Sequence, residues 1–179
     1  MIIGESLNTD ALPSIPCGVR KYMEEYFSFG IGATSVSQGG PIYSSVLATE
    51  WLSTRYVSPH TDDDFVTSIF LTLVLFSEHT MGGAWIKKRY HSDPPEIVLR
   101  RGDFMLIDPL KMHWLHPTNF GVNHYRTPRW WGYQWTIDCT EESWQNDISQ
   151  IIADMGGQVT SDPVALDEFY SSVATEEES

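Results

Sequence analysis

The sequence of 179 residues has few cysteines, few basic residues and no long apolar run, and each shortage excludes a class of protein. Two cysteines, Cys17 and Cys139, are too few for a disulfide-stabilised scaffold and favour a reducing, cytoplasmic setting. No stretch approaches the roughly 20 apolar residues of a membrane-spanning helix. The N-terminal residues carry no basic group before a short apolar stretch, so we expect no secretory signal and no membrane partner.

Basic residues are outnumbered: 11 Lys and Arg stand against 24 Asp and Glu, for a formal net charge of −13. Because a nucleic-acid surface needs a broad positive field, we expect a peptidyl or small-molecule substrate rather than nucleic acid. Part of the acidic excess lies in residues 160–179, which hold six acids and no basic residue. We expect this segment to be an acidic, partly disordered tail and residues 1–159 to form one domain.

What the sequence does contain is a series of short segments rich in β-branched and aromatic residues. A spacing of about eight to twelve residues between such segments is typical of a sandwich or barrel. We therefore predict a mainly β fold, a double-stranded β-helix of the jelly-roll, cupin-like kind, with flanking helices. Strands are predicted within 30–40 and at 65–76, 84–90, 96–99, 104–107 and 130–138, helices at 18–29 and 141–155, and a chain break at 81–83.

The motif with the most chemical content is His60-Thr61-Asp62. Side chains alternate along an extended backbone, so His60 and Asp62 point to the same side and can reach a common metal ion. A lone His-x-Asp also occurs in solvated loops. The motif therefore predicts a metal site only if a third ligand comes from elsewhere in the chain.

The third ligand is predicted within residues 103–117, where an apolar strand and a turn lead to a second strand beginning at His113. Two His and one carboxylate form the facial triad of non-haem iron(II) oxygenases, which leaves coordination positions open. His116 would face away from His113 on a strand and stays open as the alternative ligand. Asp103 and Asp108 are interpreted as turn residues.

Tryptophans cluster around the predicted strands. Most of them are interpreted as core residues. Because neighbouring strand residues point to opposite faces, we expect Trp114 and one of Trp130 and Trp131 to line a pocket.

The order of these features resembles the 2-oxoglutarate- and iron(II)-dependent oxygenases, in particular their prolyl-hydroxylase-like branch. The resemblance covers residues 56–137, which is under half of the chain. The shared features are a His-x-Asp pair, an apolar strand, a glycine pair at 82–83, a Gly-Asp turn at 102–103, a distal His followed by an apolar residue and Pro, and a basic residue that begins an aromatic strand.

This resemblance implies that His60, Asp62 and His113 hold Fe(II), and that Arg129 binds the distal carboxylate of 2-oxoglutarate. A guanidinium suits that role because it is a permanently charged, forked partner for a carboxylate. Arg126 is the rival for the same role, since it lies nearer to His113 in the sequence.

The implied activity couples the decarboxylation of 2-oxoglutarate by O2 to hydroxylation of a substrate C–H bond, with ascorbate as a supporting reductant. Two alternatives stay open at this point. One is a non-catalytic jelly-roll binding module in which the His and Asp residues are remnants or hold a structural ion. The other is a cupin-type metalloprotein without a 2-oxoglutarate requirement, a class that favours more His ligands.

Overall fold

A computed structural model of the chain describes residues 1–8, 10, 12, 17, 20–21, 32–35, 43–54, 57–77, 79–83, 97–117 and 130–174. Within these residues the protein is mainly β, with two helices near its C-terminal end. The strands are β1 (Ile2–Ser6), β2 (Gly32–Ser35), β3 (Val46–Thr54), β4 (Val57–His60), β5 (Ser68–Ser77), β6 (His79–Gly83), β7 (Ile97–Val98), β8 (Asp103–Ile107), β9 (His113–Pro117), β10 (Trp130–Asp138) and β11 (Gly157–Val159). The helices are α1 (Trp144–Asp154) and α2 (Pro163–Ala174).

The described strands form two antiparallel sheets. One has seven strands in the order β11-β1-β8-β5-β10-β3-β2, and the other has four strands in the order β4-β9-β6-β7. From β3 to β10 the chain crosses repeatedly between the sheets, so that neighbours such as β5 and β10, or β4 and β9, are distant in sequence. This topology is the predicted double-stranded β-helix, and the prediction of the fold class is confirmed.

The larger sheet is buried on both faces, which explains the unbroken apolar run of β5. Leu71 and Leu73 point to one face and pack in a core that also includes residues of α1 and α2. Phe70 and Val74 point to the other face, where they join residues of β9 and β8 in a second core. The interior of the barrel and the layer beneath the helices are therefore separated by a single sheet.

Several predicted elements agree with the structure. The strands predicted at 65–76, 96–99, 104–107 and 130–138 correspond to β5, β7, β8 and β10, and the strand predicted within 30–40 corresponds to β2. The helix predicted at 141–155 is α1, and Gly156 follows it with a φ of 75°. The predicted strand at 84–90 and most of the predicted helix at 18–29 lie outside the described residues.

The predicted break at 81–83 is wrong, because these residues belong to β6 and pair with β9. Gly82 lies opposite Trp114, and Gly83 lies opposite His113. Glycine is tolerated in a strand where large groups approach closely, and cross-strand partners compensate for its low strand propensity. The sequence alone does not contain that pairing information.

Most of the described part of the expected tail 160–179 is helical. Residues 163–174 form α2, and Phe169 and Tyr170 are buried against the core beneath the helices. The segment is acidic overall, but its apolar residues form a packing face. The stabilisation gained by burying this face outweighs the preference of the acidic side chains for water.

Neither described helix is long and apolar enough to cross a membrane. No disulfide joins Cys17 and Cys139.

Helix α1 is attached to the start of β3 by one buried carboxylate. Asp147 Oδ2 accepts hydrogen bonds from the Ser45 backbone N–H at 3.0 Å, from Ser45 Oγ at 2.6 Å and from Ser143 Oγ at 3.0 Å. Burial raises the pKa of Asp147, but these hydrogen bonds outweigh that effect and hold the pKa below its usual value. The ionised carboxylate therefore connects the helical layer to the sheet.

Replacing this carboxylate should destabilise the protein. In Asp147→Ala the buried Ser45 amide and hydroxyl lose their acceptor, and an unsatisfied buried donor costs about 1–3 kcal/mol. We expect the free energy of unfolding in urea to fall by at least that amount. The exposed neighbour Asn146 provides the control; an equal loss in Asn146→Ala would show that Asp147 has no special role.

Candidate metal centre

Two histidines face each other across the smaller sheet. His60 ends β4 and His113 begins β9, and the two residues are direct partners in the register of these strands. Their ring centroids are 4.4 Å apart, with an angle of 53° between the planes. Directly opposite residues on antiparallel strands have side chains on the same face, so both imidazoles point into the same side of the sheet.

Asp62 completes the cluster from the chain that continues beyond β4. Its Oδ1 lies 3.5 Å from His60 Nε2, and its Oδ2 lies 3.4 Å from His113 Nε2. One ligand atom from each of the three residues lies within 4.8 Å of the others. The structure therefore brings together the three residues that the sequence singled out, and it does so at distances suited to a single ion.

The protonation of both rings is directed by the backbone. His60 Nδ1 lies 2.7 Å from the Ser58 carbonyl oxygen, and His113 Nδ1 lies 2.8 Å from the Lys111 carbonyl oxygen. A carbonyl oxygen only accepts, so each Nδ1 carries a proton, and in the neutral form of either ring Nε2 then keeps its lone pair. Such a bond orients a histidine for metal binding. Both lone pairs lie beside the Asp62 carboxylate.

The pKa of His113 also favours a neutral ligand. Burial lowers this pKa below its ordinary value, and the nearby His60 lowers it as well. The hydrogen bond to the Lys111 carbonyl and the carboxylates of Asp62 and Asp108 act in the opposite direction without outweighing burial. Because a metal ion binds the neutral imidazole, a lowered pKa reduces the competition from protons at neutral pH.

The cluster lies at the wall of a cavity of about 430 Å³ between the two sheets. The described wall is largely apolar and aromatic. Its apolar members are Leu47, Ala48, Leu52, Val57, Phe65, Phe70, Met105, Ile107, Trp114, Leu115 and Trp130. Its polar members outside the cluster are Glu50, Thr54, Thr72, Gln134 and Thr136. A small organic molecule fits this volume.

Two polar features of the wall are available to a ligand. Gln134 Oε1 accepts a hydrogen bond from Thr72 Oγ1 at 3.0 Å, which fixes the amide in the barrel. Trp130 is 3% exposed, and its Nε1–H has no hydrogen-bond partner among the described residues. Sequence reasoning did not single out Glu50, Thr72 or Gln134. Alternation along β10 could have indicated Gln134, whereas β3, which carries Glu50, was not predicted.

The other predicted site residues fall into two groups. His116 lies three positions after His113 and therefore on the opposite face of β9. Its ring centroid lies 6.4 Å from that of Trp114, and it is not part of the cluster. Arg126 and Arg129, the candidates for binding 2-oxoglutarate, lie outside the described residues. The described residues therefore include the three predicted metal ligands, whereas neither arginine predicted to bind 2-oxoglutarate is among them.

The turn residues and tryptophans behave as predicted. Asp103 Oδ2 accepts the Arg100 amide at 2.7 Å, and Asp108 Oδ1 accepts the Leu110 amide at 3.1 Å. Trp114 and Trp130 line the cavity, whereas Trp131 and Trp135 pack in the core beneath the helices.

No protein-family model matches the sequence, and no curated protein sequence matches it. Solved structures give distant similarities. One is the cupin domain of Cnp3 from Schizosaccharomyces pombe, with 7% identity, 65% of this chain and 71% of that chain covered, and a TM-score of 0.41. Another is the nickel complex of the non-haem monooxygenase ThoJ, with 11% identity, 75% of this chain and 64% of that chain covered, and a TM-score of 0.40.

A third is the DMSP lyase DddQ from Ruegeria pomeroyi, with 13% identity, 76% of this chain and 57% of that chain covered, and a TM-score of 0.39. These proteins are described as a cupin domain, a monooxygenase and a lyase, and none of the three descriptions mentions 2-oxoglutarate. Similarity at this level does not transfer an activity to this chain. The two-sheet topology of the structure supports the jelly-roll part of the resemblance, and membership of the prolyl-hydroxylase-like branch stays a prediction.

Metal binding should depend on His113 and not on His116. We expect His113→Ala to lower the affinity for Ni2+ or Co2+ by at least 100-fold in titration calorimetry, because one of the three clustered ligands is lost. His116→Ala is the matched control on the same strand and should bind like the wild type. If His116→Ala lost the ion and His113→Ala kept it, the ligand assignment would be reversed.

The metal-free protein should lose stability as the pH falls below about 6.5, the ordinary pKa of histidine. The pKa of His113 is lowered in the folded state, so between that pKa and 6.5 the unfolded chain binds more protons than the folded one. Unfolding is therefore favoured as the pH drops through this window. Urea unfolding of wild type and His113→Gln from pH 8 to pH 5 measures the effect. Parallel pH curves for the two proteins would contradict it.

Proposed function

We propose that this barrel binds one divalent transition-metal ion on His60, Asp62 and His113 and acts on a small molecule in the adjoining cavity. The observation that carries the proposal is the convergence of three ligand atoms within 4.8 Å, with both Nε2 lone pairs left available by the backbone. Imidazole and carboxylate are donors suited to iron, nickel, cobalt and zinc. The donor set is therefore consistent with a mononuclear centre.

An enzyme is favoured over a structural ion site by the number and the position of the ligands. Structural zinc sites are closed by four protein ligands, whereas catalytic sites keep a position open for water or substrate. Here three described residues converge, and all three also line the cavity. A ligand in the cavity can therefore reach an ion held by the cluster.

The narrower proposal is a dioxygenase that uses Fe(II), 2-oxoglutarate and O2. Its support is the combination of two His and one carboxylate, which is the facial triad. When bound, Fe(II) would supply activation of O2. The described cavity wall contains no Lys or Arg to balance the distal carboxylate of 2-oxoglutarate. This proposal thus requires Arg129 or Arg126 to provide the cation.

A cupin-type metalloprotein without 2-oxoglutarate is the second candidate, and the composition of the wall favours it. Glu50 adds a second carboxylate to that of Asp62, and the other described wall residues outside the metal-binding cluster are uncharged. Such a wall favours an uncharged or cationic ligand over a dicarboxylate. Apolar residues would hold the body of the ligand, and Gln134 and Trp130 Nε1 would orient its polar groups.

One set of measurements separates these functions. Metal-free protein is titrated with Fe(II) under argon, then with 2-oxoglutarate, and succinate is measured after O2 and ascorbate are added. We expect Fe(II) binding in wild type and His116→Ala, and its loss in Asp62→Ala. Succinate formation that requires Fe(II) and falls at least tenfold in Arg129→Ala or Arg126→Ala supports the dioxygenase.

The remaining outcomes choose between the alternatives. Metal binding without affinity for 2-oxoglutarate would reject the dioxygenase and support the cupin-type metalloprotein. Failure of wild type to bind Fe(II), Ni2+ or Co2+ at micromolar concentration would reject both metal-dependent functions and leave the non-catalytic binding module.

A further inference from the structure

Behind the metal-binding cluster lies a turn, residues 108–111, that joins β8 to β9. Asp108 shapes this turn: its Oδ1 accepts the Leu110 amide at 3.1 Å, and its backbone carbonyl accepts the Lys111 amide at 3.1 Å. Both side chains at the ends of the turn are buried, with Asp108 6% exposed and Lys111 8% exposed. The turn is therefore an ordered part of the barrel rather than a surface loop.

The backbone of the turn touches two of the three cluster residues. The Pro109 carbonyl accepts the Asp62 amide at 2.7 Å, and the Lys111 carbonyl oxygen lies 2.8 Å from His113 Nδ1. The first bond places the carboxylate ligand, and the second sets the tautomer of the imidazole. A displacement of this turn would thus move or misorient both ligands together.

The side chain of Lys111 connects the same turn to α2. Its Nζ lies 2.8 Å from Asp108 Oδ2, donates a hydrogen bond to Ser172 Oγ at 2.9 Å, and lies 5.8 Å from the centre of the Phe169 ring. Ser172 Oγ in turn donates to the Phe169 carbonyl at 2.8 Å. A buried ion pair contributes little net stability, because desolvation offsets the attraction between the charges. Its directional bonds do restrict where the turn can lie.

We propose that α2 is a positioning element of the metal centre, acting through Lys111 and the turn 108–111 on Asp62 and His113. The inference rests on the proposed function for the presence of a metal ion. The geometry it invokes belongs to the protein without metal. The C-terminal segment, which the sequence marked only as an acidic tail, thereby becomes part of the support of the site.

Two variants of the full-length protein test the proposal. Ser172→Ala removes the bond between α2 and Lys111, and Asp108→Asn/Lys111→Met removes the buried pair while Asn keeps an oxygen acceptor for the Leu110 amide. Loss of an interaction that orients a metal ligand typically costs 10–100-fold in metal affinity. We expect about that weakening of Ni2+ binding in the double variant and about a 2–10-fold weakening in Ser172→Ala.

The matched control is Ser149→Ala on α1, where the hydroxyl likewise bonds to a carbonyl of its own helix. It should leave Ni2+ affinity unchanged. Two measurements need no metal: amide hydrogen exchange of Asp62 and the 15N chemical shifts of the His113 ring. We expect faster exchange and a less uniform Nδ1–H tautomer in Ser172→Ala, with a melting temperature close to that of Ser149→Ala.

These metal-free measurements keep the test independent of the proposed function. If wild type binds no metal but Ser172→Ala still loosens Asp62 and His113, the positioning role stands and the metal-dependent function fails. If the double variant does not fold, Ser172→Ala decides alone. The proposal would be overturned if Ser172→Ala kept the Ni2+ affinity, the Asp62 amide exchange rate and the His113 tautomer of the wild type.

Discussion

The pairing of β4 with β9 is the constraint on which the site depends. It places His60 directly opposite His113, and a shift by one residue would send one imidazole to the other face of the sheet. β9 is held in turn by β6, whose glycines at 82 and 83 lie opposite Trp114 and His113. The strand register of the smaller sheet therefore determines which side chains lie close together, whatever the chemical properties of the individual ligands.

The second constraint is the separation of two apolar layers by the larger sheet. β5 and β10 present alternate residues to the cavity side and to the helices, so a cavity wall and a conventional core are built from the same strands. Trp130 lies on the cavity side, and Trp131 packs beneath the helices. The helices cover the outer face, and the inner face is left to surround a cavity. This division allows polar groups such as Thr72 and Gln134 to satisfy each other inside the barrel without interrupting the main core.

The fold class and the pair of His60 and Asp62 were accessible from the sequence because they depend on local patterns, whereas His113 was chosen from the order of strands and turns in residues 103–117. Period-two alternation places His60 and Asp62 on one side, and β-branched and aromatic runs mark β5 and β10. The missed elements depend on contacts between distant residues. β6 contains two glycines and is ordered by β9, and α2 is ordered by apolar contacts that its acidic neighbours conceal. Glu50 was missed as a cavity residue because β3 was not predicted, and only the register of β3 against β10 sets Glu50 beside Gln134.

The charge of the cavity connects this geometry to the choice between the proposed functions. A divalent ion bound by Asp62 keeps one net positive charge, which the carboxyl group of Glu50 on the same cavity wall can balance. An uncharged ligand would then enter without an unbalanced charge. A dicarboxylate would bring two negative charges into a largely apolar cavity, where desolvation is costly unless a cation pairs with them. The nature of the co-substrate therefore depends on whether residues 118–129, which include both candidate arginines, contribute a cation to the cavity. It does not depend on the three ligands, which serve either chemistry equally well.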